Sequence, residues 1–213
     1  MTDSYSKTSI ANRALDLVGK DTKLDITTAT DTDAKNVQRN YKPVFLRCLR
    51  KADWPFAIKR VALNPSSTAP VNEYSYAFPL PPDYVRLSQI FPKWTEYQIE
   101  NGLLLTNEQI ITIKYVSSDC IEAPGKIDPS FAEFLSHELA AALTYKMTDS
   151  INLRKELRDA ANGYFHEAAA LLSQEGTDDP LPESPWIAAR YFPSSDFGCD
   201  YNNPQEIRIQ GLE

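Results

Sequence analysis

Apolar positions recur at helical spacing in four stretches of the chain, and between the second and the third the period drops to two. The first stretch is IANRALDLVGK, with Ile10, Ala14, Leu17 and Val18 as its apolar stripe. Thr8 or Ser9 is positioned to cap it, and Gly19 to stop it. A polar loop follows, with Leu24 and Ile26 as inward anchors. Asp31 or Asp33 then caps a longer helix whose stripe runs Ala34, Val37, Tyr41, Phe45, Cys48 and Ala52. Pro43 lies inside that pattern, so a kink or a break is expected there. Trp54-Pro55 is the stop: proline lacks an amide hydrogen, and its ring drives the preceding residue towards extended geometry. A large aromatic at such a stop can plug the seam between a helical layer and the next layer.

From Phe56 the pattern is that of strands. PFAIKRVAL reads as one, and Asn64 to Asn72 as a turn-rich loop. EYSYAFPLPPDYVRL alternates aromatics with small or polar residues before breaking at Pro79, Pro81 and Pro82, which suits a sheet edge. Leu87 to Phe91 is a further short strand. YQIENGLLLT carries Asn101-Gly102, a strong hairpin signal, and IITIKYV is a strand by its β-branched content. One small antiparallel sheet over residues 56 to 117 is the expectation.

Helical spacing returns at Asp128 or Ser130, with Phe131, Phe134, Leu135, Leu139, Ala142 and Leu143 as the stripe. Small residues between His137 and Leu143 permit close helix packing. Asp149 or Ser150 begins a fourth helix with Leu153, Leu157, Ala160, Ala161, Tyr164, Ala168, Leu171 and Leu172 facing inward, and Gly176 ends it. The expected fold is α+β: a four-helix bundle with an inserted small antiparallel β domain and an extended C-terminal arm. Residues 1–55 supply helices 1 and 2, residues 56–127 the insert, residues 128–176 helices 3 and 4, and residues 177–213 the arm. That last stretch has no sustained period, yet it holds Trp186, Ile187, Tyr191, Phe192 and Phe197. So apolar a tail marks an interaction surface, either on its own domain or on another subunit.

Composition narrows the function. Hydrophobic residues make up 42% and charged residues 24% of the chain, an ordinary globular balance. The net charge of −7 argues against a broad grip on DNA phosphates, though not against a surface past which DNA slides. Cys48, Cys120 and Cys199 are scattered, and with only two histidines no zinc spacing exists; free thiols suit a reducing compartment. The N-terminal MTDSYSKTS lacks the basic and apolar runs of a secretory signal, and no apolar run approaches about 20 residues.

Candidate chemistry is sparse. His137-Glu138 and His166-Glu167 are dipeptides without the spacing of a metal-binding HExxH, and no phosphate-binding or nucleophile-elbow motif occurs. Glu96 with Glu100, or Asp128 with Glu133, could form a glycosidase pair only at the right separation. Arg39, Lys42, Arg47, Arg50, Lys51, Lys59 and Arg60 form a local basic cluster in an acidic chain. It can be a solvated face, a contact with an acidic partner subunit, or, less suitably for want of interleaved aromatics, a nucleic-acid contact.

The order of motifs carries a resemblance. IANRALDLVGK, YKPVFLRCLRKADWPFA, YSYAFPLPPDYVRL, ENGLLLT with IKYV, and DPSFAEFLSHELAAALTYKMT together resemble the tail tubular protein A family over most of residues 8 to 175. These are head-to-tail adaptor, or gatekeeper, proteins of short-tailed bacteriophages. The resemblance implies a virion structural protein located at the head-to-tail interface and assembled in the host cytoplasm. It implies a ring, usually of twelve copies, between the portal protein and the tail nozzle protein, with double-stranded DNA passing through the lumen without specific binding. It implies a helical bundle with a β-rich domain and assigns no catalytic residue; no cofactor and no membrane partner are expected. Within that frame Trp186, Ile187, Tyr191, Phe192 and Phe197 are the expected portal-contact arm. Trp54, Pro55 and Phe56 are the joint between bundle and sheet, and the sheet is expected to point towards the next tail component. Arg47, Arg50, Lys51 and Arg60 are the candidate subunit contacts. The rival reading is a tail-associated murein or polysaccharide hydrolase, and a free binding module is a third.

Overall fold

The structure is a computed structural model that describes residues 5–23, 25–67, 70 and 73–174. The chain divides into two units, Met1–Glu175 and Gly176–Glu213, and the described residues belong to the first. The expected end of the last helix at Gly176, the anchor Leu24 and the whole C-terminal arm lie outside the described residues. Within them the fold is mixed α+β, with four helices and two small three-stranded antiparallel sheets.

Helix α1 spans Lys7–Val18. Its cap is Ser6 rather than Thr8 or Ser9. Ser6 Oγ accepts the Ser9 amide, and Ser9 Oγ accepts the Ser6 amide, so two orphan donors are satisfied reciprocally. The apolar signal begins later than the helix because its first turn is polar. Gly19 closes α1 at φ +73°, a left-handed conformation that costs glycine little. The loop beyond is tied down from both sides. Asn12 Nδ2 donates to Lys23 O at 2.7 Å, Gln38 Nε2 donates to Ile26 O at 2.6 Å, and Ile26 is buried as expected.

Helix α2 spans Thr32–Leu49. Asp31 holds the N-cap position but bonds no backbone amide; its carboxylate pairs with Lys23 at 2.9 Å. The helix runs unbroken through Pro43, whose ring lies on the exposed side. The stripe from Ala34 to Cys48 is buried, and Ala52, past the helix end, is half-buried.

Strands follow later than the sequence pattern suggests, because Pro55–Ala57 forms a 3-10 turn first. Strands β1 (Ile58–Leu63), β3 (Tyr84–Phe91) and β6 (Ile111–Ser117) form one sheet in the order β1-β6-β3. Strands β2 (Tyr76–Pro79), β4 (Tyr97–Glu100) and β5 (Leu103–Thr106) form the other, in the order β2-β5-β4. The single expected sheet is therefore two. Pro79 ends an edge strand, as its missing donor demands. Asn101 (φ +47°) and Gly102 (φ +75°) make the two-residue turn between β4 and β5. Alternation sends Ile111, Ile113 and Tyr115 of β6 into a core shared with Phe78, Ile90 and Leu104. Val116, of opposite parity, joins the helical core with Val85. Strand β6 is thus the shared wall of two cores.

Helix α3 spans Pro129–Met147, with Asp128 accepting the Ser130 amide at 2.8 Å as its cap. Its expected stripe is buried apart from half-buried Ala142, but so are Ala132, Ser136, His137, Glu138, Ala140, Ala141 and Thr144. Burial nearly all round follows from position: α1, α2 and α4 (Ile151–Gln174) each pack on α3. Ser150 Oγ accepts the Leu153 amide at 3.2 Å where α4 starts. Only one face of α4 is covered. Leu157, Ala161 and Ala168 are buried, whereas Ala160 and Leu171, expected inside, are exposed.

Candidate functional site

The expected joint is where three elements meet. Trp54 (φ −71°, ψ 120°) is extended, as a residue before proline should be, and is 1% exposed. Its Nε1–H donates at 3.1 Å to Cys48 O in the last turn of α2, a carbonyl that also accepts the Lys51 amide. Its ring lies edge-on to Phe131 at 4.6 Å between centroids, with Phe56, Phe134 and Phe165 at 6.2 to 6.3 Å. Phe56 also meets Phe131 edge-on at 4.9 Å. Such contacts each contribute about 0.5–1.5 kcal/mol beyond area burial. Trp54 and Phe56 thus tie the end of α2 to α3 and α4 as the chain turns into β1, and Pro55 between them is exposed.

An ion cluster pins the same corner. Arg47 and Lys51, one turn apart, converge on Glu138 of α3 at 2.6 and 2.9 Å. The Glu138 side chain is 9% exposed. Burial pushes its carboxyl pKa up, but the Lys51 bond and the charge of Arg47 outweigh that and hold it below the usual value. Lys51 Nζ also lies 4.7 Å over the Phe134 ring. Two of the four candidate subunit contacts, Arg47 and Lys51, are therefore engaged inside the chain. Arg50 and Arg60 are exposed and enter no ion pair among the described residues.

Two further carboxylates brace the first sheet, Asp53 from beside the joint and Asp83 from the turn before β3, and neither was anticipated. Asp53 bonds Arg86 and Ser88 of β3. Asp83 accepts the Tyr115 hydroxyl at 3.1 Å, the Ser117 hydroxyl at 2.7 Å and Lys59 Nζ at 2.8 Å; Lys59 also pairs with Asp119. Bonds from both acids raise the Lys59 pKa. At Asp83 burial works upward, and the bonds from Lys59, Ser117 and Tyr115 bring the net shift down. These partners are 24 to 60 residues apart. The one local hint is that Asp53 and Asp83 each flank a proline-marked turn.

Three of the candidate reactive groups, Asp128, Glu133 and His137, have structural partners. Asp128 caps α3, Glu133 pairs with Arg13 at 3.3 Å, and His137 Nδ1 lies 2.9 Å from Glu133 O. Glu96 and Glu100 are exposed beside and on β4. Burial raises the Cys48 thiol pKa and pushes Cys120 up to about 11, so neither is a thiolate at neutral pH. Among the described residues no group of His, Cys, Asp and Glu could hold a metal ion, and no helix is long and apolar enough to cross a membrane. The portal-contact candidates Trp186, Ile187, Tyr191, Phe192 and Phe197 lie outside the described residues. Neither a scan against protein-family models nor a search of curated proteins finds a match.

Proposed function

We propose that the chain is a virion structural protein, the head-to-tail adaptor of a short-tailed bacteriophage. The observation that carries this reading is the order of five sequence motifs across residues 8 to 175, which resembles the tail tubular protein A family. In this reading α1 to α4 act as a four-helix bundle, and identical copies, twelve in the expected ring, stand between portal and tail nozzle. The ring extends the channel for double-stranded DNA. The segment after Gly176 reaches the portal through Trp186, Ile187, Tyr191, Phe192 and Phe197.

The joint supports a mechanical role. An adaptor must pass load between a helical layer and a sheet without flexing, and the aromatic cluster of Trp54 together with the pairs on Glu138 and Asp53 supplies such a corner. Asp128 and Glu133, one of the two candidate catalytic pairs, are taken up by the α3 cap and by Arg13, which gives the hydrolase reading no support at that pair. Deleting the residues after Gly176 tests the assignment: the shortened chain should fold yet fail to join portal-containing particles. Unchanged incorporation overturns the role of the arm, and release of sugar fragments from murein or capsule by the full chain overturns the adaptor reading.

A further inference from the structure

Lys35, Arg39, Lys42, Leu46 and Arg50 lie along one side of α2. At 3.6 residues per turn they fall within about 80° of the helix circumference and extend about 22 Å along it. The four cations are exposed, and Leu46 is half-buried. None of the four enters an ion pair among the described residues, and the one carboxylate within α2 is Asp33, in its first turn. An unneutralised basic stripe on a chain of net charge −7 calls for an acidic partner.

The second sheet carries a surface of opposite character. A groove of about 410 Å³ is lined by Glu73, Tyr74, Gln98, Glu100, Leu103 and Leu105 among others. In the β4–β5 register Glu100 stands opposite Leu103 and Gln98 opposite Leu105, so all four share a face. Leu103 and Leu105 are half-buried and give an apolar floor, while Glu73 and Glu100 are exposed carboxylates beside it. Among the described residues no cation lines the groove.

We propose that the α2 stripe of one copy docks in this groove of a second copy. Leu46 meets the leucine floor, and Lys42 and Arg50, each one turn from Leu46 and about 12 Å apart, meet Glu73 and Glu100. The stripe and the groove are different patches of one chain, so the contact is heterologous: an open assembly keeps a free stripe at one end and a free groove at the other until a ring closes. The contact rests on these two surfaces and not on the adaptor reading, which can fail on portal binding while self-association stands.

Two double variants of the full chain test it, Lys42→Glu with Arg50→Glu and Glu73→Lys with Glu100→Lys. All four positions are exposed, so both variants should keep the wild-type circular dichroism and melting profile. In sedimentation at low salt the wild type should self-associate, and each variant alone should associate at least about a hundredfold more weakly, since like charges then face each other. An equimolar mixture of the two should associate again, because every stripe then finds a groove of opposite sign. At about 1 M salt, where the Debye length falls to about 3 Å, wild-type association should weaken markedly. A monomeric wild type, a mixture that stays monomeric, or a stripe variant that fails while the groove variant associates normally overturns the proposal.

Discussion

Helix α3 is buried on nearly every side, whereas β4, in the same unit, has all four of its residues exposed. The core around α3 gathers side chains from α1, α2, α4, the Trp54 turn and one face of the first sheet. Among the described residues the core between the sheets buries Phe78, Ile90, Leu104, Ile111, Ile113 and Tyr115, while Trp94, Tyr97, Ile99 and Ile110 are exposed. Charges divide in the same way. Around α3 they are paired inside the chain, as at Glu138; on the second sheet Glu96, Glu100 and Glu108 stand in solvent. Complete burial leaves a region little surface with which to recognise anything. Exposed charged and apolar groups lie instead on the second sheet and the outer side of α2.

Four substitutions probe that division, beginning with the largest effect. Trp54→Ala should cost about 3–5 kcal/mol in denaturant unfolding, since it empties the meeting point of α2, α3 and α4; a loss under about 1 kcal/mol would detach Trp54 from the core. Leu104→Ala should cost about 2–4 kcal/mol. Hydrogen exchange should speed up at β4 and β5 amides while α3 amides keep their protection relative to the new global stability. Equal loosening of both regions would mean one undivided core.

Glu138→Gln comes next, at about 1.5–3 kcal/mol, the range for hydrogen bonds to a charged group. Its pH dependence carries a sign. The folded carboxyl has a depressed pKa, so its stabilisation is present above the unfolded value near 4.5 and is lost as pH falls through the folded value. The gap between wild type and variant should therefore be constant at neutral pH and shrink below about pH 4.5; a gap that widens in acid contradicts the assignment. Gly102→Ala should have the smallest effect, about 1 kcal/mol. Nothing crowds the position, and the cost comes from the left-handed φ of +75° alone.

Legibility in the sequence followed the range of the interaction. Local devices were readable: a helix start at Asp128 or Ser130, Gly19 as a stop, Asn101-Gly102 as a turn and the extended Trp54 before Pro55 each depend on residues a few positions apart. The central place of α3 was not, because a stripe of Phe and Leu looks the same whether one side or all sides are covered. The split into two sheets was hidden because alternation reports which side chains are covered and not which strands pair. At the site, Arg47 and Lys51 read as surface cations, since their partner Glu138 lies 91 and 87 residues away. Asp53 and Asp83 escaped notice for the same reason.

The central proposal is that this chain is a building block whose helical core presents surfaces for assembly, and mass measurement of the full chain with and without a short-tailed-phage portal ring tests it most directly. A complex holding the portal ring plus a matching ring of identical copies, formed at the expense of smaller species, is the predicted result. A mass equal to the portal alone, with this chain left free at any ratio, would contradict it.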